Sequence, residues 1–142
     1  MNVLERTDSG LYCRAADAWI DPSRPVSRAL ITHAHADHAR PGCGEYWAVD
    51  ISEGVLRQRL GRDITLHSMP YRQEFWLNQA CLSFHSAGHV LGSAQIRLMV
   101  EDQVWVVTGD YKRCPDPSCE PFEVVPCDCL LYTSPSPRDL SE

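Results

Sequence analysis

A short apolar run, Ala29-Leu30-Ile31-Thr32, leads straight into the cluster His33-Ala34-His35-Ala36-Asp37-His38. The run reads as a buried strand, apolar except at its end. The cluster therefore stands just past a strand end, at the edge of a sheet, where functional residues collect. Side chains two apart in extended chain point the same way, so His33 and His35 leave the strand on one side and can share a metal ion. Asp37 and His38 come after the chain turns and can face a second ion beside the first. Imidazole and carboxylate are ligands that suit zinc or manganese. Small Ala34 and Ala36 let the backbone bend between them.

Other segments suggest a layered α/β domain. Ala18–Asp21 reads as a strand stopped by the turn Pro22-Ser23-Arg24-Pro25, and Tyr46–Val49 as another. Ile51, Val55, Leu56 and Leu60 recur at helical spacing, with Ser52 as N-cap and Gly61 past the end. Glu74–Leu77 and Ala80–Ser86 form a hairpin around Asn78-Gln79. Ala94–Val100 alternates, with Ile96, Leu98 and Val100 on one face and Gln95 and Arg97 on the other. It turns at Glu101-Asp102 into Val104–Thr108, apolar throughout and so inside a sheet. The layer opposite these last two strands is expected from sequence beyond this chain.

Composition excludes several classes. Hydrophobic residues make up 44% and charged residues 23% of 142, which is ordinary for a globular domain. No run is long and apolar enough for a membrane span, and residues 1–8 have no secretory pattern, so the expected location is the cytoplasm. Seven cysteines, an odd number without a C-x-x-C pair, read as free thiols. A zinc knot of Cys114, Cys119, Cys127 and Cys129 would fit no standard finger spacing. The net charge of −6 argues mildly against nucleic-acid binding by bulk charge, although bound divalent metals would attract phosphate.

Two more ligand candidates lie past strand ends. His89 sits in Ser86-Ala87-Gly88-His89-Val90-Leu91-Gly92-Ser93, between glycines, and Asp110 follows Thr108-Gly109. Alone, each would more often be a loop cap. His67 and His85 are assigned to packing or surface, and Lys112 and Arg113 to solvent.

The ordered set His33–His38, Gly88-His89 and Gly109-Asp110 resembles the motifs of the metallo-β-lactamase superfamily. Ala87-Gly88-His89-Val90-Leu91-Gly92-Ser93-Ala94 and Thr108-Gly109-Asp110-Tyr111 are similar to its β-CASP nuclease branch. The stretch from Gly10 to about Asp128 resembles the bacterial ligase-associated DNA exonucleases, also described as RNA 3′-end processing factors. Leu11-Tyr12-Cys13, Trp19-Ile20-Asp21-Pro22, Tyr111-Lys112-Arg113 and Pro126-Cys127-Asp128 carry that likeness.

The resemblance implies the N-terminal half of the metallo-β-lactamase αβ/βα sandwich over residues 1–130. It implies two divalent ions, zinc or manganese. His33, His35 and His89 would bind the first, Asp37 and His38 the second, and Asp110 would bridge them. The nucleophile is a hydroxide activated by both. Asp37 would orient it or take its proton, and Asp21 would hold a ligand imidazole by its outer N–H. The substrate class is nucleic acid, DNA in preference to RNA, with a DNA ligase and a helicase as partners. Family members are longer and supply further histidines, none of which follows His89 here. The chain is therefore expected to hold its second metal poorly and to lack activity by itself. Residues 131–142, with Pro135 and Pro137 and no apolar period, are expected to be disordered and non-native. Another hydrolase on this fold, a thioesterase or lactonase, and a non-catalytic scaffold remain open.

Overall fold

The computed structural model describes residues 2–33, 39–88, 92–109 and 121–131. Two sheets face each other. The first contains β1 (Glu5–Thr7), β2 (Gly10–Cys13), β3 (Ala18–Ile20), β4 (Arg28–Leu30), β5 (Glu45–Val49) and β6 (Leu66–Met69), in that order. Its first three strands are antiparallel, and β3 to β6 run parallel. The second contains β7 (Phe75–Leu77), β8 (Ala80–Ser86), β9 (Ala94–Val100), β10 (Gln103–Val107) and β11 (Cys129–Leu131), in the order β11-β10-β9-β8-β7. All its pairings are antiparallel except β10 with β11.

The main core fills the space between the sheets. Ile20, Leu30, Trp47 and Val49 come from the first sheet, and Leu82, Phe84, Ile96, Leu98 and Val107 from the second. This corrects one expectation: the layer opposite β9 and β10 comes from this chain's own first half. The period-2 pattern shows which face of β9 is apolar but not what covers it.

Among the described residues a single α-helix, α1 (Glu53–Leu60), lies on the outer face of the first sheet, preceded by a 3-10 turn at Asp50–Ser52. It packs through Leu56 and Leu60 on Ala29, Tyr46 and Ala48. Ile51 and Val55, expected inward, are 45% and 47% exposed. They form one i, i+4 row while Leu56 and Leu60 form another, and a lone short helix buries a single row against a sheet. Ser52 does occupy the N-cap position, but its hydroxyl donates back to the carbonyl of Val49 at 2.8 Å instead of capping. Gly61, at φ +114°, ends the helix as expected.

The hairpin around Asn78-Gln79 forms as read, with Asn78 at φ +54°. Leu131, assigned to the tail, is the last residue of β11 and pairs with Val107. Residues 132–142 lie outside the described residues. So do Cys114 and Cys119; Cys13, Cys43, Cys81, Cys127 and Cys129 are free thiols. Among the described residues no helix is long and apolar enough to cross a membrane.

Candidate metal centre

Asp21 follows directly on β3 and Thr32 lies two residues past β4, a parallel neighbour of β3. The two strand ends are tied together, since the backbone N–H of Asp21 donates to the carbonyl of Leu30 at 2.9 Å. The Asp21 carboxylate accepts from the backbone N–H of Thr32 at 2.9 Å and from its hydroxyl at 2.5 Å. Thr32 Oγ1 in turn stands 3.3 Å from Nδ1 of His33.

The proton order follows from the donor and acceptor inventory. An ionised carboxylate only accepts, so the Thr32 hydroxyl spends its proton on Asp21. Its oxygen can then accept from Nδ1–H of His33. That bond would put the proton on Nδ1 and the lone pair on Nε2. His33 is 1% exposed, so its ring is held by packing as well. A ligand histidine fixed through its other ring nitrogen is the arrangement that metal sites use.

Two further strand ends reach the same place. The N–H of Ala94, the first residue of β9, donates to the carbonyl of Thr32 at 2.7 Å. The loop between β8 and β9 is closed by Ala87 N–H to Ser93 carbonyl at 3.3 Å, and Tyr71 donates its hydroxyl to that same carbonyl at 2.7 Å. Gly92, at φ +80°, rests on Ser52, whose Cβ would be 2.9 Å from a β-carbon at position 92. Gly109, past the end of β10 at φ +62°, rests on Thr32, whose Cβ would be 2.7 Å from a β-carbon there. Backbone conformation and space both demand glycine at 109.

His33 and Asp21 are therefore placed at one junction of both sheets. His35, Asp37, His38, His89 and Asp110 lie outside the described residues. The flanks of their segments, His33 and Ala39, Gly88 and Gly92, and Gly109, are described. Among the described residues no three His, Cys, Asp or Glu side chains form a metal-holding group. The donor set of the expected ligands suits zinc or manganese, and the way His33 is held fits such a role. Thr32 was not singled out in the sequence, although it directly precedes the cluster and is the only hydroxyl between strand and histidine.

His85 and His67 behave as assigned. His85 is buried on the outer face of the second sheet, between the hydroxyl of Ser83 (2.8 Å) and the carboxylate of Glu123 (2.9 Å). His67 bonds Glu45 at 3.1 Å and stacks on Trp47. Gln95, expected on a polar face, is buried there too, donating its amide to the carbonyls of Ser86 and Glu123.

Two of the solved structures that the chain resembles bear on its fold. One is the CmlA β-hydroxylase E377D mutant, at a TM-score of 0.58 and 13% identity over 78% of this chain and 30% of that one. The fold is that of the metallo-β-lactamases. The other, a protein of unknown function from Enterococcus faecalis V583, matches at a TM-score of 0.53 and 13% identity over 61% of this chain and 25% of that one. In sequence, the chain is 33% identical over 114 residues to a probable DNA ligase of Opitutus terrae. That match covers 79% of this chain and 11% of the relative, so the chain spans about a ninth of that protein's length. No protein-family profile matches the chain. In the metallo-β-lactamase fold found here, the junction lies past the C-terminal ends of the parallel strands β3 to β5. That is where open α/β sheets place their ligands.

Proposed function

We propose that this chain carries the metal site of a hydrolase that cleaves phosphodiester bonds in nucleic acid, DNA in preference to RNA. The observation behind this reading is the junction at Thr32. Its carboxylate partner, its backbone bond to Ala94 and its contact with Gly109 gather the strand ends that border the expected ligands in the sequence. His33, His35 and His89 would hold one divalent ion, Asp37 and His38 a second, with Asp110 between them. Such a pair of zinc or manganese ions would supply Lewis acidity toward the phosphoryl oxygens and make water ionisable near neutral pH.

The chain's own residues do the rest. Asp21 acts through Thr32 to keep the lone pair of His33 on Nε2. Gly88 and Gly92, both at positive φ, flank position 89 in the sequence, and Gly109 stands against Thr32. Asp37 orients the attacking water or takes its proton. The probable DNA ligase that matches in sequence favours a nucleic-acid substrate over a thioester or lactone. Residues 1–130 form the domain unit in this reading, and the activity belongs to the whole protein of which they are part.

The test is to load the whole protein, of which this chain is part, with zinc or manganese and offer end-labelled single- and double-stranded DNA and RNA. Bis(p-nitrophenyl) phosphate and a thioester are offered in parallel. Cleavage of nucleic acid and the phosphodiester, lost in His35→Ala, is expected. Thioester hydrolysis without phosphodiester cleavage would overturn the reading.

A further inference from the structure

An open cleft of about 360 Å3 is bordered by Ala39, which follows the histidine cluster in the sequence. Arg40, Arg59 and Ser23 line it, flanked by Pro25, Pro41 and Leu60. Among the described residues that line it, none is acidic. Neither guanidinium has an acidic partner among the described residues, and Arg40 Nε is shut off from solvent without a hydrogen-bond partner. In a chain of net charge −6, two unopposed arginines in one cleft stand out. A buried charged donor left unmade costs more than the 1–3 kcal/mol of a neutral one, so this group gains from any anion it can reach.

The end of α1 does not explain the pair. Arginines in a last helical turn commonly serve its free carbonyls. Here Arg59 makes no such bond among the described residues, and Arg57 ties the helix to the loop that follows it. It pairs with Glu53 at 3.0 Å and donates to the carbonyls of Arg62 and Ile64, while Gly61 N–H serves the carbonyl of Arg57. Arg40 and Arg59 are left facing the cleft. Position matters as well: Ala39, which also lines the cleft, is the residue after His38 and so one Cα step of about 3.8 Å along the chain from it.

We propose that the cleft between Arg40 and Arg59 is a phosphate-binding site that takes one backbone phosphate of a nucleic-acid strand beside the histidine cluster. The planar guanidinium suits this oxyanion, because two of its N–H groups can meet two phosphate oxygens at once. A small rotation of the Arg40 side chain would turn Nε toward such an oxygen. The described walls of the cleft bring no carboxylate that would repel it. A contact here would hold the strand without reading its sequence. The strand assignment rests on the proposed nucleic-acid substrate, whereas phosphate binding itself does not.

The experiment uses the 142-residue chain stripped of metal on a chelating resin, so that cleavage plays no part. Inorganic phosphate is titrated while the arginine Nε–H resonances are followed. A fluorescent single-stranded oligonucleotide is then titrated at several salt concentrations. Saturable shifts at Arg40 and Arg59 are expected with phosphate and absent with chloride. The double variant Arg40→Gln, Arg59→Gln should bind the oligonucleotide about tenfold more weakly. Its slope of log affinity against log salt should fall by about 0.7, the value for one phosphate contact on a single strand. Circular dichroism checks that the variant is folded, which is expected because neither side chain bonds another described residue. No saturable shift at Arg40 would overturn the site. Phosphate binding with an unchanged oligonucleotide slope would overturn the strand assignment. Absence of cleavage by the metal-loaded protein would overturn the proposed function and leave these metal-free results standing.

Discussion

Gly109 of the second sheet lies directly on Thr32 of the first, so close that a β-carbon at 109 would come 2.7 Å from Thr32 Cβ. Thr32 is also the residue that links Asp21 to His33 and accepts the N–H of Ala94. One threonine thus joins the ends of strands from both sheets.

Gly109→Ala should therefore be costly. The positive φ and the clash act together, and the clashing atoms are rooted in backbone, so a loss of about 2 kcal/mol or more is expected. Gly54→Ala is the control. Position 54 is helical, with nothing within 4 Å of an added β-carbon, and should gain about 0.4–1 kcal/mol. Urea unfolding of both variants measures the contrast. Equal midpoints would mean that the contact at Thr32 is not tight.

Asp21→Asn and Thr32→Val should weaken metal binding while keeping the fold. The first keeps a residue that tolerates φ +45° but replaces an acceptor-only group. The second keeps the shape and removes the hydroxyl. Disturbing such a positioning contact typically costs 10–100-fold in metal affinity. Competition against a chromogenic chelator reads it, and an unchanged affinity would mean His33 needs no support from Thr32.

The segment ahead of β11 is fastened by Glu123. Its N–H donates to Ser86, its carbonyl accepts from Gln95, and its carboxylate meets His85. His85→Ala removes one fastening and leaves buried Ser83 short of a partner, so a loss of about 1–3 kcal/mol is expected. Hydrogen exchange should rise first at 121–131. A uniform rise across both sheets would contradict a local fastening.

Burial pushes the Cys13 thiol above its ordinary range. A raised folded-state thiol pKa gives stability that is complete below the unfolded value of about 8.5 and is lost as pH rises toward the folded one. Unfolding free energy should fall above about pH 8.5, by at most about 1.4 kcal/mol per pH unit for this group. Cys13→Ala should flatten that slope whatever it does to the absolute stability. Iodoacetamide should label Cys13, which has no exposed surface, only after unfolding. Rapid labelling in the native protein would refute the burial argument.

The sequence by itself determined the strands that alternate or run apolar, the Asn78-Gln79 hairpin, the end of α1 at Gly61 and the placing of His33 and Asp21 past strand ends. These are local matters, set by side-chain period and turn chemistry within a few residues. The tertiary structure decided what local pattern cannot carry. The polar or short strands β1, β2, β6 and β11 exist because neighbours supply their ladder bonds. Ile51 and Val55 are exposed because the sheet receives only the other row of the helix. The layer over β9 and β10 turned out to be β3 to β5 of the same chain, since a period-2 pattern names a buried face and not its partner. Thr32 as the link between Asp21 and His33, and Gly109 and Gly92 as points of close approach, emerge only when separate strand ends are brought into contact.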